Sequence, residues 1–190
     1  MYNYYQFDLY NITPYICINK KKTVKHKKIT AMKKNINAIG LDVEKSTALA
    51  AGLNDLLANY QLFYQNLRGF HWNIKGEKFF ELHLKFEELY NDVILKVDEI
   101  AERILTLGST PLHTFSDYLA KSEIREEKNL SDSASTVEST LNSFKVLIVK
   151  ERAMLSNAQQ FGDEGTATLM SDYISQQEKT VWMLSAYQNR

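Results

Sequence analysis

Leu49, Leu53, Leu56, Tyr60, Phe63, Leu67 and Phe70 recur every three or four residues, which draws one apolar stripe along a single helix. A strand would alternate every second residue, so this spacing commits the segment to a helix with one buried face. Asn73 and Gly76 end it. A second helix is expected from near Glu77 to Leu107, stopped by Gly108 with Pro111 just beyond. Ser131 or Ser133 is the expected cap of a third, which carries Val137, Leu141, Phe144, Leu147 and Leu155 and ends at Gly162. Thr166 opens a fourth, with Leu169, Tyr173, Val181 and Leu184 on its stripe. Two Pro and seven Gly in 190 residues leave little turn chemistry for a many-stranded β protein.

Each long helix holds about 22 to 31 residues, or roughly 33 to 46 Å at the α-helical rise. Short connections join the first helix to the second and the third to the fourth, so each pair should pack antiparallel. The link from Gly108 to Leu130 is longer, with room for a short helix around Phe115 to Lys121. The expected fold is all-α: a four-helix bundle with one long crossover over residues 41–190, the ferritin-like arrangement. A single Cys excludes a disulfide framework and a Cys-based zinc site. The longest strictly aliphatic run in mid-chain is Val146 to Val149, too short for a membrane span, so a cytoplasmic protein is expected.

The net charge of zero is unevenly spread. Residues 1–40 carry Lys20, Lys21, Lys22, Lys25, Lys27, Lys28, Lys33 and Lys34 against Asp8 alone, a net of +7. Residues 41–190 therefore carry −7. A basic, disordered tail on an acidic body seeks polyanions or is simply solvated, and the sequence leaves both readings open. Five of the eleven Tyr and the only Cys fall in the first 17 residues, while Met32 begins an ordinary opening, MKKNINAIGL. Residues 1–31 thus read as an over-extended start; a chain beginning at Met32 keeps Lys33 and Lys34 and a net −5.

Potential metal ligands gather around the second helix. His71 stands at the end of the first, in Arg68-Gly69-Phe70-His71-Trp72. His83 and Glu87 are four apart and share a face, and Asp98 and Glu102 repeat that spacing. Imidazole and carboxylate without thiolate suit iron, manganese or zinc with open positions. A solvated face and satisfied core histidines are the competing reading of the same residues. His83 and Asp98 are fifteen residues apart, about 22 Å along a helix, with their side chains within roughly 60° of each other around it. No single ion bridges that distance. If both pairs bind one site, a second copy of the helix must run antiparallel, and a two-fold axis then makes two equivalent sites. No Glu-x-x-His occurs, so the intra-bundle di-iron site is absent, and no His-Glu-x-x-His or Gly-rich phosphate loop appears.

The stretch HWNIKGEKFFELHLKFEELYNDVILKVDEIAERILTLG, His71 to Gly108, resembles the signature of the Dps family, the ferritin-like miniferritins of starved bacteria. The pattern is His-Trp, a Gly, Phe-x-x-x-His with an acid four on, then Asp-x-x-x-Glu-Arg and a terminal Leu-Gly. The likeness extends over roughly Met32 to Arg190, including a fourth helix entered through an acidic loop, Asp163-Glu164. It implies a ferroxidase site at a dimer interface, with two irons held by His71, His83 and Glu87 of one subunit and Asp98 and Glu102 of its mate. Many members carry Asp where this chain has Glu87; the extra methylene keeps the ligand type and bears on the position of a bridging oxygen. Trp72 matches the family's Trp beside the site, and an anchoring role in the fold is its other reading. The resemblance further implies a hollow shell of twelve subunits in which hydrogen peroxide oxidises Fe(II) and the ferric product is stored. It also implies non-specific DNA binding through a basic tail, and with it nucleoid association. Two other classes compete: a DNA-coating shell with an idle metal site, and a helical interaction bundle. Asp117, Glu123, Glu126 and Glu127, in or near the crossover, are candidates for pore or surface.

Overall fold

The computed structural model describes residues 35–189. They form α1 (Val43–Asn73), α2 (Phe79–Thr106), α3 (Phe115–Lys121), α4 (Ser133–Phe161) and α5 (Glu164–Tyr187). Among the described residues the one β feature is an isolated bridge between Ile36 and Asp42. The all-α expectation holds, and the short crossover helix lies where the sequence put it.

Side chains start most of these helices by satisfying amide hydrogens that have no partner within the helix. Asp42 caps α1 through the Lys45 N–H (3.1 Å), and Thr114 caps α3 through that of Asp117 (3.2 Å). Two expected starts move. The cap of α4 is Asp132, which accepts from the Ser135 N–H at 2.9 Å, in place of Ser131 or Ser133. Likewise α5 begins at Glu164 behind a cap at Asp163, and Thr166 is the residue whose N–H is capped (3.1 Å). In both cases a carboxylate takes the cap: Asp132 lies between the two serines, and Asp163 stands three residues before Thr166. The tight α4–α5 turn passes through Gly162 at φ 74°, a left-handed conformation that favours glycine. At the other end, Asn37 donates to the Ser46 hydroxyl (3.0 Å) and the Leu107 carbonyl (3.3 Å). This turn extends the bundle's fixed structure ahead of position 41.

Contacts across the bundle fix the directions of the long helices. Phe63 of α1 meets Phe144 of α4 edge-on at 4.9 Å, and Asp55 of α1 meets Lys150 of α4 at 2.7 Å, so these two run antiparallel. Tyr173 of α5 donates to Glu99 of α2 at 2.5 Å, and Arg103 of α2 reaches Asp163 at the start of α5, so these two are antiparallel as well. Leu53, Leu56, Phe63, Phe86, Ile100 and Leu147 are fully buried between the helices. Arg103 also donates to the Thr166 hydroxyl at 2.9 Å. Burial would raise the Asp163 carboxyl, but its bonds to Arg103 and Thr166 outweigh that and hold it below the usual carboxylate range. A Cβ on Gly165 would stand 3.0 Å from Arg103 Nη1, so glycine there leaves room for the guanidinium.

Three asparagines of α1 fasten the crossover. Asn54 bonds the Thr110 carbonyl and the Leu112 N–H, and Asn66 bonds the Arg125 carbonyl and the Glu127 N–H. Asn59 does most: its Oδ1 accepts from the Ser122 hydroxyl (3.1 Å) and the N–H groups of Glu123 and Ile124 (both 3.0 Å). Asn59 is fully buried. Asn59→Ala would strand these donors, and a loss of about 3 kcal/mol in subunit stability is expected. A lowered urea midpoint with unchanged helix content at zero urea is the result to look for; an unchanged midpoint would refute the clamp.

Candidate metal centre

The last carbonyls of a helix lack an intrahelical partner, and His71 sits in that final turn of α1. Five residues, Ile74 to Lys78, turn the chain into α2, with Ile74 buried and the Lys75 N–H held by the Ser131 carbonyl at 2.8 Å. His83, on the second turn of α2, is thereby brought against His71. Each histidine bonds the other's backbone: His71 Nδ1 lies 2.8 Å from the His83 carbonyl, and His83 Nδ1 lies 2.9 Å from the His71 carbonyl. A carbonyl only accepts, so each Nδ1 carries the hydrogen, and in the neutral ring the lone pair is on Nε2. Metal-binding histidines are commonly prepared this way. The rings stack at 3.8 Å with planes 19° apart, Phe79 stacks on His83 at 5.1 Å, and Tyr90 presents its edge to His71 at 5.4 Å. Both histidines are half-buried.

Seven acids lie on α2, and their partners divide them. Glu81 pairs with Lys78 (3.8 Å), Glu88 with Lys85 (2.7 Å), Asp92 with Lys96 (2.5 Å) and Glu99 with the Tyr173 hydroxyl (2.5 Å). Among the described residues no donor pairs with the carboxylates of Glu87, Asp98 or Glu102. Those three are the acids the spacing singled out. Glu87 is half-buried one turn beyond His83, whereas Asp98 and Glu102 are exposed.

The same face of α2 exposes large apolar side chains: Phe80 (78%), Leu84 (64%), Ile94 (37%), Leu95 (64%) and Leu105 (59%). At about 100° per residue, these five and the three unpaired acids fall within one arc of roughly 100°. Buried Leu82, Leu89 and Ile100 point the opposite way. Within one chain, His71 and His83 come together, while Asp98 and Glu102 lie further along α2, about 22 and 28 Å from His83. Among the described residues no three His, Cys, Asp or Glu side chains gather into a set that holds a metal.

Trp72 is 57% exposed, so it does not anchor this subunit's core; the Arg68 guanidinium lies over its ring at 4.6 Å and over Tyr64 at 5.5 Å. Sequence reasoning missed Phe79 and Tyr90 as walls of the histidine pair. The four-residue step from Phe79 to His83 was the available signal; nothing local marks Tyr90. In the crossover, Asp117 bonds Thr114 (2.5 Å), Glu123 pairs with Lys150 (2.5 Å) and Glu127 accepts from Ser139 (2.9 Å), while Glu126 is exposed. Lys20, Lys21, Lys22, Lys25, Lys27, Lys28, Lys33 and Lys34 lie outside the described residues.

Residues 50–190 match the model of the ferritin-like domain. The chain is 46% identical over 156 residues to the DNA protection during starvation protein of Porphyromonas gingivalis, covering 82% of this chain and 98% of that protein. The crystal structure of a Dps protein from Vibrio cholerae O1, described as one of the ferritin-like diiron-carboxylate proteins, is 54% identical with a TM-score of 0.80, over 80% of this chain and 96% of that one. That of a Dps protein from Bacillus brevis is 35% identical with a TM-score of 0.74, over 76% and 97% of the two chains.

Proposed function

The chain belongs to the Dps family of ferritin-like proteins, and on that premise we propose that it is a ferroxidase, taking Fe(II) and hydrogen peroxide as substrates at sites completed between two subunits. The observation that carries this reading is the coincidence on α2. The acids left without partners are those with ligand spacing, and they share one apolar, exposed face with a histidine pair whose Nε2 atoms are ready to bind. Packing that face against an antiparallel copy sets Asp98 and Glu102 of the partner subunit opposite His71, His83 and Glu87, and it buries the apolar residues between. Lone pairs in near-parallel ring planes do not converge on one atom, so each imidazole serves its own Fe(II). Two ions per site, about 3.5–4 Å apart, is the usual two-metal spacing.

Imidazole and carboxylate hold iron while leaving coordination positions open to the oxidant. Two Fe(II) give up one electron each and one hydrogen peroxide takes both, so its O–O bond breaks without releasing hydroxyl radical. Six such dimers close a shell of twelve subunits, and the ferric product is stored inside it. No helix among the described residues is long and apolar enough to cross a membrane, in keeping with a cytoplasmic store. Crystals soaked in Fe(II) test the assignment by anomalous scattering. Density is expected between two chains, at His71, His83 and Glu87 of one and Asp98 and Glu102 of the other. Iron bound wholly within one polypeptide would overturn it.

The eight lysines of residues 1–34 support a second role, coating DNA without reading its sequence and so joining the nucleoid. Twelve tails act together, against the repulsion between DNA and an acidic body of the same sign. Full-length protein is expected to retard duplex DNA at low salt and to release it steeply as salt rises. A chain starting at Met32 keeps two of the lysines and should bind far more weakly. Equal retardation by both would place DNA binding outside the tail.

A further inference from the structure

A polar cluster sits in the middle of the apolar bundle, away from the α2 face. Glu151 of α4 is fully buried. Its Oε1 accepts from the Tyr60 hydroxyl of α1 at 2.5 Å and from Gln177 Nε2 of α5 at 2.6 Å, and Gln177 Nε2 also donates to the Tyr60 oxygen at 2.7 Å. Two buried oxygens are left without a partner, Glu151 Oε2 and Gln177 Oε1. Both are acceptors, so the cluster is short of one hydrogen.

Every charge around Glu151 is committed elsewhere. On α2, Lys96 binds Asp92 (2.5 Å) and Gln176 (3.1 Å), and Glu99 takes the Tyr173 hydroxyl of α5 at 2.5 Å. On α4 itself, Lys150 bonds Asp55 and Glu123, and Arg152 pairs with Glu178 of α5. Tyr60 is the titratable neighbour on α1, and its hydroxyl is already used. A buried carboxylate without a counter-ion is costly, whereas a neutral acid needs none.

We infer that Glu151 is held as a carboxylic acid, its proton on Oε2 supplying the hydrogen that the Glu151–Gln177 pair lacks. An acid and a primary amide pair well in this way: the amide N–H meets one carboxyl oxygen, and the acid O–H meets the amide oxygen. Turning the Gln177 amide over would set its oxygen against Glu151 Oε1 and would require the same proton. Burial pushes the Glu151 carboxyl up, against the opposing pull of Tyr60 and Gln177. In carboxylate-bridged bundles the acids of the core are ionised and held together by metal. Here a resident proton does that job, and it keeps Glu151 from offering a charge to iron, which leaves iron to the α2 face.

The linkage has a definite sign. A carboxyl raised above its unfolded value stabilises the fold fully below that value, and the contribution is lost as pH rises through the folded one. Infrared spectra of full-length protein grown on 13C-glutamate should show an isotope-shifted protonated-carboxyl band near neutral pH. That band should be missing from Glu151→Gln and should fade from the wild type at alkaline pH. In parallel, the unfolding midpoint of the wild type should fall with rising pH relative to that of Glu151→Gln, which keeps the amide geometry without the proton. A wild-type spectrum with carboxylate bands alone would overturn the inference, and so would midpoints that track each other across pH. The wild-type spectrum decides the matter even if the variant fails to fold.

Discussion

His83→Ala and Asp98→Ala are each expected to lose rapid peroxide-dependent oxidation of Fe(II), and co-assembly of the two inactive proteins is expected to restore about a quarter of wild-type activity. The loss follows from ligand count. Removing a group that merely supports a metal ligand commonly costs up to about a hundredfold in affinity or activity, so removing a ligand should cost at least that. The recovery follows from symmetry. Each proposed site takes His83 from one subunit and Asp98 from the other. A mixed dimer therefore holds one site with both defects and one with neither. Random pairing of equal amounts makes half the dimers mixed, which gives about one intact site in four. Peroxide consumption in an Fe(II) titration, before and after the assemblies are dissociated and reassembled together, measures both. A mixture as inactive as its components would mean that the ligands do not combine across subunits. Full activity in either single variant would remove that residue from the site.

Leu95→Glu is expected to abolish assembly and, with it, ferroxidation, although all five proposed ligands remain. Leu95 is 64% exposed and faces away from the core, so the isolated subunit should fold normally. In the proposed antiparallel contact, setting His83 opposite Asp98 centres the two-fold axis near residue 91, and position 95 then falls close to position 87 of the second copy. The substitution forfeits about 1.5–3 kcal/mol of Leu burial per copy. It also places an unpaired acid beside another acid in a desolvated contact, a further penalty of several kcal/mol. Native mass should fall toward that of a monomer while the helical circular dichroism is kept. Wild-type mass with wild-type activity would show that this face is not the contact. The two experiments probe different links: the first tests which groups bind iron, the second what brings them together.

Most of the bundle was legible because helices are written in a local code. The three-to-four spacing from Leu49 to Phe70, the stops at Gly108 and Gly162, and room for a helix at Phe115 to Lys121 all follow from backbone pitch and turn chemistry. The errors were of a different kind. Choosing Ser131 or Ser133 over Asp132 mistook which of several neighbouring cap-forming residues the backbone would use, and opening the last helix at Thr166 set its start two residues late. The Asn54, Asn59 and Asn66 clamps were invisible because their partners lie more than fifty residues away.

The α2 acids show where the boundary lies. Residue type and four-residue spacing, both properties of the sequence, marked Glu87, Asp98 and Glu102 as candidate ligands, but Asp92 and Glu99 on the same helix are acids too. What separates the groups is that Glu99 finds Tyr173 on another helix and that Lys96, itself buried and paired with Asp92, also reaches Gln176 there. In the same way, the sequence determined that histidines would stand at positions 71 and 83, but the closure of α1 on α2 decided that each would bond the other's carbonyl and leave Nε2 free. Helical period depends only on the near neighbours of each residue. Whether a polar side chain is satisfied depends on what the rest of the chain brings to it, and that is settled only when the helices pack.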